Sequence, residues 1–274
     1  MQNIHWLYLV TIILYSLSLL AYFIDFVRHN RKAHQIAFWL LSIVWLLQTV
    51  FFLLRMRQFN RLPIVTEFEG LFFYAWVVVT FSLVINKYFK NELFVFFTNI
   101  VGFIIMAFSL FMPTADIPDS LNQLLLSELS ILHIALILIS YSAFTLAFVF
   151  SLMYVIQHYM LKKKLWGKRL IRFSSLSRLD QLTFIMSLIG FPIFFIGIIL
   201  GFVWFSIQFN YLPLFDAKII SSLIIVIAYG IYFYLRGVKS QRGYNIVLLN
   251  VACFLLVLIN YFLSSNFSHF HIWK

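Results

Sequence analysis

Eight long apolar runs, separated by short connections, decide what this chain can fold into. They lie near 6–27, 36–54, 70–86, 93–112, 131–158, 182–206, 219–235 and 246–263. Each is long enough to cross about 30 Å of hydrocarbon as a helix, the form in which a single segment satisfies its own backbone groups in lipid. The chain has 274 residues, 63% hydrophobic and 11% charged, which is more apolar side chain than a soluble core can hide. The expected fold is therefore all-α: a polytopic integral membrane protein of about eight transmembrane helices. No polar stretch is long enough to bury a core of its own, so a single transmembrane domain over 1–274 is expected. The first run lacks a basic leader and exceeds the length of a signal-peptide core, so a retained span is expected.

The net charge of +11 does not point to nucleic acid, because the basic residues sit in short connections. Alternate connections, beginning with the one after the first span, hold 15 of the 20 Lys and Arg. The positive-inside rule assigns these to the cytoplasm and both termini to the outside. Three connecting segments then face outward: GFVWFSIQFNYLPLFDAK (201–218), the acidic PTADIPDSLNQLLLSELS (113–130) and the tail SSNFSHFHIWK (264–274). Glu67 and Glu69 fall in another outer loop near Arg55, Arg57 and Arg61, where a surface ion pair is the default expectation. The lone Cys253 excludes an intramolecular disulfide, a CxxC pair and a cysteine-based zinc site.

The outward ends gather imidazoles and aromatics. His133 starts the fifth span, Trp204 ends the sixth, Asp216 and Lys218 precede the seventh, and His269 and His271 follow the eighth. A neutral imidazole nitrogen is a good axial ligand for haem iron, and a lysine can pair with a propionate. The competing reading is that aromatics collect at the membrane interface and terminal histidines point into water. His29, His34 and His158 stand beside Lys and Arg at the other helix ends, in what reads as a solvated basic face.

The stretch SLIGFPIFFIGIILGFVW (187–204) resembles the cytochrome c assembly superfamily, in which a GFP…G…GxVW helix leads into a tryptophan-rich outer loop ending WDPK. SELSILHIALILISYSAF (127–144) and INYFLSSNFSHFHIWK (259–274) resemble the family's two histidine-bearing segments. The resemblance implies haem as cofactor, with His133 as one axial ligand and His271 or His269 as the other. Here the loop ends FDAK, with Phe209, Tyr211 and Phe215 where tryptophans are expected. That departure weakens the implication of haem delivery to apocytochrome c. LPIVTEFEGLFFYAW (62–76) resembles a smaller, eight-helix branch found with haem-biosynthesis proteins in Gram-positive bacteria. That branch is associated with lowering the level of glutamyl-tRNA reductase. The resemblance thus implies a bacterial plasma-membrane regulator that touches the reductase, directly or through an adaptor.

The connection LKKKLWGKRLIRFSSLSRLDQ (161–181) is the largest basic surface. Lys162, Lys163, Lys164, Lys168, Arg169 and Arg172 interleave with Leu165, Trp166, Leu170, Ile171 and Phe173. That pattern suits a short helix against anionic lipid or, on the other reading, a docking surface for an acidic partner. A cytochrome c assembly factor and a small-solute transporter are the alternative functions. A transporter is expected to carry ionisable groups at mid-span, where this sequence offers only the uncharged Gln48 and Asn99. No nucleophile–base set is apparent, so no enzyme is expected.

Overall fold

A computed structural model describes residues 2–89, 92–112, 127–164, 172–210 and 215–262, with side chains for 6–86, 93–112, 127–164, 172–210 and 215–262. The described residues form eight α-helices and no strand. These are α1 (Gln2–Arg28), α2 (Arg31–Phe59), α3 (Glu67–Phe89), α4 (Glu92–Ser109), α5 (Glu128–Lys162), α6 (Leu176–Phe209), α7 (Ala217–Phe233) and α8 (Tyr244–Phe262). Seven are long and apolar enough to cross a membrane, and Leu93–Ser109 is a shorter apolar helix. The chain is thus a multi-pass membrane protein, as its apolar runs predict.

Most helices run past the apolar spans because they end at caps, not where hydrophobicity stops. Asn30 Oδ1 accepts from the N–H groups of Lys32 and Ala33 at the start of α2. Ser127, Ser175 and Asp216 do the same for α5, α6 and α7, and Asn60 and Asn210 close α2 and α6 in the left-handed conformation. Such caps satisfy the terminal N–H and C=O groups that a helix leaves unpaired.

By packing, the chain divides into two compact units, Met1–Asn122 and Gln123–Lys274. In the first, α1 buries a stripe of Tyr8, Thr11, Tyr15, Ser18, Tyr22 and Asp25. The alternating 3- and 4-residue spacing places all six on one face. Its aliphatic residues, among them Leu9, Ile13, Leu17 and Leu20, face outward. In lipid the hydrophobic effect does not drive helices together, so their contacts carry the hydrogen-bonding and small groups instead. Tyr8 Oη donates to the Met106 carbonyl at 2.9 Å. Tyr15 Oη donates to Asn99 Oδ1 at 2.9 Å, and Asn99 Nδ2 donates to Ser82 Oγ at 2.7 Å. Indole N–H groups tie α2 to α3: Trp45 to Thr80 at 2.8 Å and Trp76 to Thr49 at 3.0 Å.

Glu69 corrects the expectation of a surface ion pair. Its side chain is 1% exposed and receives Arg61 at 2.8 Å and Arg55 at 3.4 Å. Glu69 belongs to the first turn of α3, so the carboxylate points back into the α2–α3 connection and not out of it.

In the second unit α5 is the most enclosed helix and α6 is its main neighbour. Along α6 the buried positions Thr183, Ser187, Gly190, Phe194, Gly197, Gly201 and Trp204 repeat at 3- and 4-residue spacing. Helix α6 is continuous through Pro192, which does not divide it. Helix α7 passes into a π turn at Tyr234–Val238. There Arg236 is buried and its Nη2 lies 2.6 Å from Asp180 Oδ2. By sequence both residues fall in basic connections between the apolar runs, and in the structure both are inside the fold. A π turn closes i→i+5 hydrogen bonds and so holds one more residue than an α turn.

Of the basic connection, Lys162, Lys163 and Lys164 are exposed at the end of α5, Arg172 is half-buried and Phe173 is buried. Phe173 therefore packs inward instead of lying in the headgroup region. Leu165, Trp166, Lys168, Arg169, Leu170 and Ile171 lie outside the described residues.

Candidate functional site

The glycines of α6 build the site. Gly197 and Gly201 are four residues apart on the face that meets α5, a small-xxx-small arrangement that lets two helices approach closely. A Cβ on Gly197 would lie 2.8 Å from Ile137 Cδ1, and one on Gly201 would lie 2.6 Å from His133 Cε1. The His133 ring therefore occupies the space that Gly201 leaves. Its Nδ1 lies 2.6 Å from the Gly197 carbonyl oxygen. A carbonyl can only accept, so Nδ1 carries the proton, and in the neutral ring the lone pair is on Nε2. Histidines that bind metals are commonly oriented in this way, by a hydrogen bond from the other nitrogen.

His133 lines a cavity of about 60 Å³ together with Ile137, Tyr141, Gly201, Lys218 and Ser222. One residue of α8 ties the walls together. Asn260 Nδ2 donates to Tyr141 Oη at 3.0 Å and Ser222 Oγ at 3.1 Å, and its carbonyl oxygen accepts from Lys218 Nζ at 2.8 Å. Ser221 Oγ donates to Asn260 Oδ1 at 2.9 Å. Asp216 caps α7 by accepting from the Lys218 N–H at 2.8 Å, which fixes the start of the helix that carries Lys218.

Of the residues singled out by sequence, His133 and Lys218 meet at this cavity, and Asp216 supports Lys218. Trp204 is buried on α6 against Phe205 and Phe209, at ring-centroid distances of 6.3 Å to each. It is not among the described residues that line the cavity. Phe215 is 94% exposed. Tyr211, His269 and His271 lie outside the described residues. Gly197, Gly201, Tyr141, Ser222 and Asn260 were not predicted as site residues. The 4-residue glycine spacing was the one local signal, since the other contacts join segments tens of residues apart.

The donors fit part of a haem: one imidazole with its lone pair on Nε2, and one ammonium on the same cavity. The volume does not fit the macrocycle, because enclosed sites for ligands of that size run to about 300–1,000 Å³. Among the described residues no group of three His, Cys, Asp or Glu can hold a metal ion.

Gly201→Ala is expected to destabilise the protein by about 1–3 kcal/mol, the usual range for overpacking a tight contact. Gly230→Ala, where nothing lies within 4 Å of the added Cβ, is expected to be neutral or to stabilise by up to about 1 kcal/mol. Unfolding by titration with sodium dodecyl sulfate in mixed micelles measures both.

Comparison with known proteins places this architecture. Residues 64–271 match the family model described as Cytochrome C assembly protein. The chain is 46% identical over 261 residues to Protein HemX of Bacillus subtilis (strain 168), covering 95% of each chain. It is 40% identical over 273 residues to Protein HemX of Brevibacillus brevis, covering 100% of each. The cytochrome c biogenesis protein CcsA of Mesostigma viride is more distant, at 26% over 279 residues, 93% of this chain and 89% of that protein. Both HemX relatives come from Gram-positive bacteria, and with its membrane-crossing helices this chain is a bacterial multi-pass membrane protein of that group. Matched by the model over most of its length and by HemX proteins nearly end to end, the chain belongs to the cytochrome c assembly protein family.

Proposed function

We propose that this protein is a haem-responsive regulator of tetrapyrrole synthesis, which senses haem at the His133 cavity and lowers the level of glutamyl-tRNA reductase. The observation that carries the reading is the 2.6 Å contact from His133 Nδ1 to the Gly197 carbonyl, which fixes the ring's tautomer and orientation as outer hydrogen bonds do for metal-binding histidines. Haem, when bound, supplies an iron that accepts imidazole nitrogen and two carboxylates that accept from cations. His133 would hold the iron through one imidazole nitrogen, and His271, or alternatively His269, would supply a second. Lys218 provides the cation for one carboxylate, and Asn260 and Asp216 hold it in place. The cavity of about 60 Å³ is too small for the macrocycle, so binding there would require α5 and α6 to part at Gly197 and Gly201.

That parting is the basis of the response. From His133 to Lys162, α5 spans roughly 44 Å at 1.5 Å per residue. A change in α5–α6 packing at one end would reach the lysines at the other if α5 moves as one rigid body. The conformational equilibrium shifts only to the extent that haem binds the two packings with different affinity. With the His133 end outside, Lys162, Lys163 and Lys164 with Lys168, Arg169 and Arg172 form the cytoplasmic surface for the reductase or an adaptor. The second reading, handling of haem for cytochrome c assembly, draws on the family description and on the more distant CcsA relatives.

Optical titration of the purified protein with haem tests the site. A saturable low-spin Soret shift is expected, weakened in His133→Ala by more than about tenfold, the lower range for losing even a partner behind a ligand. In cells grown with excess haem, the same variant is expected to retain high reductase levels. A Soret shift unaffected by His133→Ala defeats the site. Unchanged reductase levels together with a loss of c-type cytochromes would favour the second reading.

A further inference from the structure

At the opposite end of α5 from His133 lies a larger cavity, of about 410 Å³, lined by Val155, Ile156, His158, Tyr159, Lys162 and Tyr244. We propose that it binds the headgroup of an anionic phospholipid. Four of the six lining residues carry hydrogen-bond donors: the Lys162 ammonium, the His158 ring and the Tyr159 and Tyr244 hydroxyls. Among the described residues no carboxylate lines it. The complement of such a wall is a group that only accepts and carries negative charge, as a phosphodiester does.

The site is built, not merely basic. The His158 ring lies 4.8 Å from Tyr244 and 6.2 Å from Tyr154, nearly parallel to the latter at 9°. Rings from α5 and α8 thus fix its plane. Lys163 Nζ stands 6.0 Å from the centre of the Tyr159 ring, so a second cation borders the same wall. The volume falls within the range of small-molecule sites.

A lipid fits better than a soluble phosphate because of where the cavity lies. Val155 and Ile156 form its apolar part, and both belong to the membrane-crossing helix Glu128–Lys162. Tyr159 is 57% exposed at the helix end, the depth at which aromatic side chains meet headgroups. Basic pockets between transmembrane helices near the surface are known binding places for anionic headgroups. A lipid wedged between α5 and α8 would also brace the helix end that carries Lys162, Lys163 and Lys164. The inference does not depend on haem binding.

Native mass spectrometry of the delipidated full-length protein tests it, with equimolar phosphatidylglycerol and phosphatidylcholine and with soluble glycerol 1-phosphate as competitor. Preferential retention of phosphatidylglycerol is expected. Lys162→Gln with His158→Ala is expected to reduce it by about fivefold or more, since one basic residue near an anionic surface contributes about that factor. Lys162→Arg is expected to preserve retention, and Lys164→Gln, exposed and outside the cavity lining, to leave it unchanged. Equal retention of phosphatidylcholine overturns the proposal. So does an equal loss in Lys164→Gln, which would show a diffuse surface charge. Displacement by glycerol 1-phosphate at the concentration of the lipid overturns it too, because the acyl chains would then contribute nothing.

Discussion

Asp180→Asn is expected to destabilise the protein by about 3–5 kcal/mol, the cost of leaving a buried charge without its partner. The Arg236 side chain is 8% exposed and that of Asp180 is 7% exposed, with Nη2 and Oδ2 at 2.6 Å. Arg236 also lies over the Phe184 ring at 5.2 Å, and Arg242 and the Gly243 N–H are near the carboxylate. Asparagine keeps the shape of aspartate but cannot balance the guanidinium. The pair itself is a poor source of stability, because desolvating two ions offsets most of their attraction. Arg236 Nε, moreover, has no hydrogen-bond partner among the described residues, and a buried orphan donor costs about 1–3 kcal/mol. The double replacement Asp180→Leu with Arg236→Met is therefore expected to fall within about 1 kcal/mol of the wild type or above it. Unfolding in mixed micelles, followed by tryptophan fluorescence, measures all three proteins. A single variant that loses less than about 1 kcal/mol would show that water reaches the pair.

This pair also shows where reading the sequence as membrane spans reaches its limit. Apolar runs locate helices because lipid demands them, and the eight runs match α1 to α8. Counting Lys and Arg in the connections treats every charge near a span end as solvated. Asp180 sits in the second turn of α6 and Arg236 in a π turn that continues α7, so both remain inside helix packing. Nothing local announces this, because it depends on α6 and α7 meeting. The inward faces are hard to read for a related reason. Hydrophobicity in a membrane chain marks the outside as strongly as the inside, and the buried stripe of α1 is written in Tyr, Thr, Ser and Asp. A 3- and 4-residue repeat of hydroxyl-bearing residues is the signal that identifies such a face, and it is visible once sought.

The site was legible in part. His133 and Lys218 stand out as rare polar groups at span ends, and both line one cavity. The glycines of GFP…G…GxVW were visible as a motif, but their work is spatial: Gly201 vacates the volume of an imidazole and Gly197 orients it. Asn260 was not predicted because an asparagine in an apolar run offers no partner until α5, α7 and α8 are assembled around it. Trp204 is a different case. An interfacial tryptophan suggests a surface for a flat ligand, yet this one is buried between helix side chains.

Glu69→Ala is expected to cost the first unit about 3–5 kcal/mol, because one carboxylate there does two jobs. It balances two guanidinium groups, with Arg61 bonded through both nitrogens at 2.8 and 3.3 Å and Arg55 at 3.4 Å. It accepts the Val65 and Thr66 N–H groups at 3.1 and 3.2 Å, while Thr66 Oγ1 accepts from the Glu69 N–H at 3.1 Å. That reciprocal arrangement is a capping box, whose loss alone costs about 1 kcal/mol. The larger share comes from stranding Arg55 and Arg61, whose side chains are 14% and 8% exposed. Their rings of contact, Phe59 at 4.9 and 5.3 Å, cannot replace a counter-charge. Glu69→Gln separates the contributions. Glutamine keeps an acceptor for the backbone N–H groups but not the charge, so it is expected to recover the capping share, about 1 kcal/mol, and no more. If Glu69→Gln matches the wild type in unfolding by sodium dodecyl sulfate, the two arginines reach water on their own, and the carboxylate acts only as a cap.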